Sequence, residues 1–217
     1  MSQPPIYLLQ GMTPNRHVYD RLAPMLPDCQ IVSWIEPQKQ ESIASYAQRL
    51  AAQIPVRECY LGGVSFGGVV ALEVARILQP KMCFLISSIR GPSQLPPWLR
   101  AIRLLSSTTS LAVGLRAAGN LANYVPRCVR SKTTMRTTKL AGEEGDWYRW
   151  GCSAVLQWNP EHEPQLPVYQ IHGDADRTFP VRFTSPDKII LSGGHLLPLT
   201  HPKVVAEAML AVMTSAP

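Results

Sequence analysis

Residues 60–72 read YLGGVSFGGVVAL: an apolar run of strand character stops at a serine fenced by four glycines, and an apolar run of helical character begins directly after it. Glycine weakens the interior of a helix or strand by roughly 0.5–1 kcal/mol relative to alanine, so four around one serine need a steric reason. Gly63-Val64-Ser65-Phe66-Gly67 has the form G-x-S-x-G. In a strand–turn–helix setting, that pattern drives the serine backbone towards positive φ and projects its hydroxyl above a sheet. Residues two before and two after must then be small enough for strand and helix to pass. Gly63 and Gly67 meet that need, and Gly62 and Gly68 ease it. A helix starting at Phe66 aims free N–H groups and partial positive charge at any oxyanion formed near Ser65. Ser65 is thus the candidate nucleophile.

The rest of the chain supplies a frame for such a turn. Short apolar runs at 6–10, 29–35, 58–64, 82–87, 168–172 and 188–192 alternate with helical patterns at 15–26, 42–53, 66–79 and 202–213. That alternation predicts an α/β fold with a parallel sheet covered by helices. Ile43, Tyr46, Ala47, Leu50 and Ile54 recur at helical spacing and form one apolar stripe. The helix after Ser65 is apolar on nearly every side, which predicts the most deeply buried helix of the set. About 80 residues separate the fourth and fifth strand candidates, far more than a connection needs. Residues 91–164 are read as an inserted helical lid within a single domain spanning 1–217.

Two further segments complete a pattern. IHGDADRTFP (171–180) and LSGGHLLPLTHP (191–202) each follow a strand candidate. With GVSFG, they resemble the α/β-hydrolase superfamily over nearly the whole chain. The resemblance implies the order nucleophile, acid, histidine, on loops at the carboxyl ends of strands: Ser65, Asp176 and His195. It also implies an oxyanion turn after the first strand, at LLQGMT (8–13), with backbone N–H groups of Met12 and Phe66 as donors. The family's usual histidine before that glycine is Gln10 here, which leaves the glycine turn intact. Since the first strand already carries this turn, the sheet is expected to be trimmed to six parallel strands in the order 2-1-3-4-5-6.

Other titratable residues have plainer readings. His172 closes a strand, and its family counterpart is structural. His201 precedes Pro202 and marks the start of the last helix. His17 and His162 are read as surface or lid residues, Asp187 as a solvated residue at a strand start, and Asp174 as the neighbour of the favoured Asp176. Met12 either lines an acyl pocket or simply packs. The five cysteines are scattered without a C-x-x-C pair, so no zinc site or disulfide framework is expected.

Charge and hydropathy bound the partners. The net charge is +6, and residues 90–142 carry nine Lys or Arg with no Asp or Glu. Without a recognisable module or interleaved aromatics this does not read as a nucleic-acid surface. It reads as a solvated basic face, or as one meeting an anionic substrate, an acidic partner or a membrane surface. WLRAIRLL sets Trp98, Ile102 and Leu105 near one face beside Arg100 and Arg103, as both interfacial helices and lid helices do. Lid packing is favoured there, and likewise for Trp147, Tyr148, Trp150 and Trp158. No apolar run approaches the length needed to span a bilayer and no basic leader precedes one, so a cytoplasmic protein is expected.

The chemistry implied is two-step acyl transfer to water, with no metal and no organic cofactor. A carboxylic ester of a small or medium acyl group is the first expectation for the substrate. A coenzyme A or acyl-carrier thioester is the alternative, because GVSFGGVVALEVA also resembles the G-x-S-F-G-G-x-V-A-x-E-x-A stretch of thioesterase domains. Glu73 carries that likeness, although a Glu73–Arg76 pair on the helix surface would explain it as well. A non-turnover ligand receptor of the same fold is the second alternative.

Overall fold

A computed structural model describes residues 3–12, 16–55, 58–108, 143–160 and 165–215. Six strands build one parallel sheet: β1 (Ile6–Leu9), β2 (Cys29–Val32), β3 (Tyr60–Val64), β4 (Met82–Ile86), β5 (Val168–Gly173) and β6 (Lys188–Ile190). Their spatial order is β2-β1-β3-β4-β5-β6, as expected from the sequence. This is the α/β-hydrolase fold in a six-stranded form.

Alternation along the strands divides the core in two. Tyr7, Leu9, Leu61, Cys83 and Leu85 face one cluster, which α1 (Ile43–Ala51) and α2 (Phe66–Leu78) cover. Ile6, Leu8, Tyr60, Phe84 and Ile86 face the other, covered by α6 (Pro202–Ser215) with Tyr19, Leu22 and Leu26. Ser42 caps α1, its hydroxyl accepting from the Ser45 N–H at 3.1 Å, and the stripe Ile43, Tyr46, Ala47, Leu50 is buried as its spacing requires. In α2 every residue from Phe66 to Ala75 is buried.

The helix expected over 15–26 is replaced by two 3-10 turns, Arg16–Tyr19 and Ala23–Met25. Pro24 accounts for this, since it offers no N–H and its ring opposes an α-helical path. The backbone bonds there are i→i+3, including Leu22 N–H to Tyr19 O and Leu26 N–H to Ala23 O. The second strand also stops three residues early, at Val32, where its partner β1 ends at Leu9.

Within the expected insertion, α3 (Pro97–Thr108) and α4 (Glu143–Gln157) are described. Residues 109–142 and 161–164, with His162 and most of the basic run, lie outside the described residues. α4 is fastened to the sheet's body by indole N–H groups. Trp147 donates to Met12 O at 2.5 Å and Trp150 to Glu41 O at 2.8 Å, while just past the helix Trp158 donates to Glu73 Oε1 at 2.7 Å. Arg103 on α3 turns towards α4, donating to the carbonyls of Leu156 and Trp158 at its end. Trp98 is half exposed. No helix among the described residues is long and apolar enough to cross a membrane.

Candidate active site

The turn between β3 and α2 is as tight as its glycines predict. Ser65 sits at φ 56°, ψ −123°, a conformation that side chains other than glycine rarely adopt. A Cβ on Gly63 would lie 2.3 Å from the Gly67 carbonyl carbon, and one on Gly67 would lie 2.0 Å from the Gln10 carbonyl oxygen. Neither site admits any side chain, because the atoms in the way are backbone. Gly68 has a separate reason: a Cβ there would meet Ser88 Oγ at 2.4 Å.

The three residues singled out from the sequence converge at this turn. His195 Nε2 lies 2.8 Å from Ser65 Oγ, and His195 Nδ1 lies 2.8 Å from Asp176 Oδ2. Burial alone would raise the Asp176 carboxyl pKa. Hydrogen bonds from His172 and His195, the charge of His195 and the Phe179 N–H outweigh it, holding the pKa well below the usual range. An ionised carboxylate only accepts, so Nδ1 of His195 carries the proton and Nε2 is left to accept from the Ser65 hydroxyl. That tautomer can take a proton from Ser65. Asp174, the competing acid, lies in the turn after β5, whereas Asp176 is buried beside the imidazole.

His172 is fully buried, as a structural residue would be. Its Nε2 lies 2.6 Å from Phe179 O, and a carbonyl accepts only, so Nε2 donates there. His17 is exposed and pairs with Asp20, and His201 ends α5 (Leu197–Thr200) just before α6.

The turn after β1 reaches the serine. The position a Cβ would take on Gly11 is 3.9 Å from Ser65 Cβ. Sequence patterns gave no hint of how this turn is held without the usual histidine. Trp34, two residues past β2, donates from Nε1 to Gly11 O at 3.2 Å, and Trp147 donates to the next carbonyl along, that of Met12. Their rings pack in tilted and edge-to-face contacts with Phe66 and one another, with centroids 5.2–6.1 Å apart.

One expectation needs correction. Glu73 and Arg76 do not form a surface pair: Glu73 is buried, 3.5 Å from Arg76, and accepts from the Trp158 indole, 85 positions away. Asp187, exposed just before β6 as expected, also ties neighbouring strands together. It pairs with Arg90 and accepts from the Gln170 N–H at 2.7 Å. Among the described residues, no group of three or more His, Cys, Asp or Glu could hold a metal ion.

Comparison with known proteins gives a consistent context. The model of the alpha/beta hydrolase family matches residues 13–208. ClbQ from the colibactin NRPS/PKS pathway superposes with a TM-score of 0.70 at 14% identity, over 99% of this chain and 98% of its own. A thermophilic esterase from Thermogutta terrifontis does so with 0.60 at 18% identity, over 99% and 91%. The type II thioesterase BorB from the borrelidin biosynthetic cluster follows with 0.61 at 16% identity, over 97% and 93%. At such identities the likeness shows the fold alone. No curated protein sequence matches the chain.

Proposed function

The chain belongs to the alpha/beta hydrolase family, and from that premise we propose that it is a serine hydrolase cleaving a carboxylic ester of a small or medium acyl group through an acyl-enzyme. One observation carries this: an unbroken line of hydrogen bonds from Ser65 Oγ through His195 to the buried carboxylate of Asp176, 2.8 Å at each step. Ser65 Oγ attacks the acyl carbon while His195 Nε2 takes its proton. The carbonyl electron pair moves onto oxygen, where the Met12 and Phe66 N–H groups receive it, each worth roughly 3 kcal/mol in sites of this kind. Collapse expels the alcohol, protonated by His195, and leaves the acyl group on Ser65. Water then gives its proton to His195 and attacks in turn, releasing the acid and restoring Ser65. Asp176 stays ionised throughout and fixes the imidazole tautomer.

A thioester of coenzyme A or an acyl carrier is the second reading. The likeness of GVSFGGVVALEVA, with its Glu73, to the corresponding stretch of thioesterase domains supports it. The basic run at 90–142 offers charge that phosphates would meet.

The test is fluorophosphonate labelling, with the adduct located by mass spectrometry, followed by turnover of p-nitrophenyl esters and acyl-coenzyme A across a salt series. Label on Ser65 with ester turnover supports the proposal. Faster thioester turnover that weakens with salt moves the assignment to the second reading. Rapid labelling with no turnover of either class points to a ligand receptor, and no labelling of Ser65 overturns the hydrolase reading.

A further inference from the structure

A peptide unit is planar and trans, so its C=O and N–H point in opposite directions and can only turn together. The Met12 N–H shares its unit with the Gly11 carbonyl, and the Phe66 N–H shares its unit with the Ser65 carbonyl. Both carbonyls are gripped by a side chain. Trp34 Nε1–H donates to Gly11 O at 3.2 Å, and Ser88 Oγ–H donates to Ser65 O at 2.6 Å. We propose that Trp34 and Ser88 are positioning residues for the oxyanion hole, each holding from behind the peptide whose N–H faces the developing charge. The proposal rests on the acyl-transfer reading and adds to it the residues that orient its two donors.

The two braces arise in the same way. β1 carries the oxyanion turn and β3 carries the elbow. β2 pairs with β1 up to Leu9↔Val32, and β4 pairs with β3 up to Val64↔Ile86. Trp34 lies two residues past the end of β2, and Ser88 two residues past the end of β4. Each donor peptide is therefore held by the strand beside it, at the carboxyl edge of the sheet.

Packing alone does not account for either contact. The Trp34 ring packs at a tilt against Phe66 and Trp147, yet the ring could do so without turning its N–H to Gly11 O. Ser88 is fully buried, and its approach is possible because residue 68 lacks a side chain. Its own carbonyl accepts from Gln170 Nε2 at 2.7 Å, and Gln170 is held in turn by Arg90 and Gln94. The Ser65 carbonyl also accepts the Gly68 N–H at 3.0 Å, so both its lone pairs are engaged. A donor on a carbonyl also polarises the amide and strengthens the N–H opposite. Orientation and donor strength thus come from one contact.

Trp34→Phe keeps a ring among its neighbours and removes the N–H, while Ser88→Ala removes only the hydroxyl. Each is compared with the wild type by kcat and KM on p-nitrophenyl acetate, by backbone amide shifts of Met12 and Phe66, and by Tm. The expected result is a roughly tenfold loss of kcat, smaller than the loss of a direct donor, with KM within about twofold. The Met12 amide should move upfield in W34F alone, and the Phe66 amide in S88A alone. If Trp34→Phe does not fold, β-(3-benzothienyl)alanine at position 34 keeps the fused ring without the N–H and replaces it. Unmoved amides, an unchanged kcat, or a loss confined to KM would overturn the proposal. A wild type with no acyl-transfer activity would instead sink the hydrolase reading, and the amide shifts would then decide the brace by themselves.

Discussion

His172 and His195 meet at one oxygen: Asp176 Oδ2 lies 3.3 Å from His172 Nε2 and 2.8 Å from His195 Nδ1. The other oxygen, Oδ1, accepts the N–H groups of Thr178 and Phe179 at 2.8 and 3.0 Å. A carboxylate at 3% exposure would ordinarily resist ionisation; this one accepts from His195 and from two backbone N–H groups, with the His172 ring close beside it. The site invests in keeping that charge.

Removing the charge should therefore cost both rate and stability. Asp176→Asn is expected to lower kcat by about 10⁴, since the imidazole loses its fixed tautomer. The stability effect has a definite sign. A carboxyl whose folded pKa is depressed contributes above its unfolded value, about 3.9, and the contribution fades as pH falls below that value. Urea midpoints of wild type and D176N should differ most near neutral pH and converge below about pH 4. A gap independent of pH would mean that packing, not ionisation, is what Asp176 contributes.

Gly67 and Gly91 make a matched pair of substitutions. A Cβ on Gly67 would meet Gln10 O at 2.0 Å and Leu9 O at 2.5 Å, whereas one on Gly91 meets nothing within 4 Å. Gly67→Ala must push α2 away from β1, and a loss of about 3 kcal/mol is expected by urea denaturation. Gly91→Ala should stay within about 0.5 kcal/mol. Equal effects would mean that the elbow is looser than its contacts.

The frame of the molecule was legible because it depends on residue type at a fixed place, whereas the meeting of Ser65 with Asp176 and His195 was expected from the resemblance of their loops to the α/β-hydrolase pattern. An apolar run marks a strand, glycines mark the elbow, and a loop after a strand end has only one edge of the sheet to occupy. What stayed hidden depends on partners far away in sequence. The i,i+3 spacing of Glu73 and Arg76 is the same whether that face of α2 meets water or Trp158. Trp34 and Ser88 act on backbone carbonyls, which every residue carries, so no side-chain pattern reports them. The turns at 16–25 stayed hidden for a local reason: a helical reading of that stretch is opposed only by Pro24 within it.

Glu73 offers a stability test in which two substitutions should part company. Glu73→Leu leaves the Trp158 indole without its acceptor and the Arg76 guanidinium without its ion partner in a buried place. About 3 kcal/mol should be lost. Glu73→Gln keeps an oxygen for Trp158 and forfeits only the charge, so roughly 1 kcal/mol is expected. If the leucine variant proves as stable as the glutamine one, the carboxylate does not anchor Trp158 in solution.

Gly151 sets two effects of opposite sign against each other. It lies inside α4, where alanine would favour the helix by about 1 kcal/mol. A Cβ there would also lie 2.4 Å from Met12 Sδ and 3.1 Å from its Cε. The obstructing atoms end a flexible side chain, so the thioether can swing aside at small cost in stability. The Met12 carbonyl is tied to Trp147 on the same helix, so any shift of α4 made to fit the new methyl is passed to the turn. Gly151→Ala should thus leave Tm unchanged or slightly raised while kcat falls roughly tenfold, because a sub-ångström error in the turn is felt at the reacting carbon. A rise in Tm with kcat intact would show that Met12 yields entirely through its side chain, leaving the turn undisturbed by its neighbour on α4.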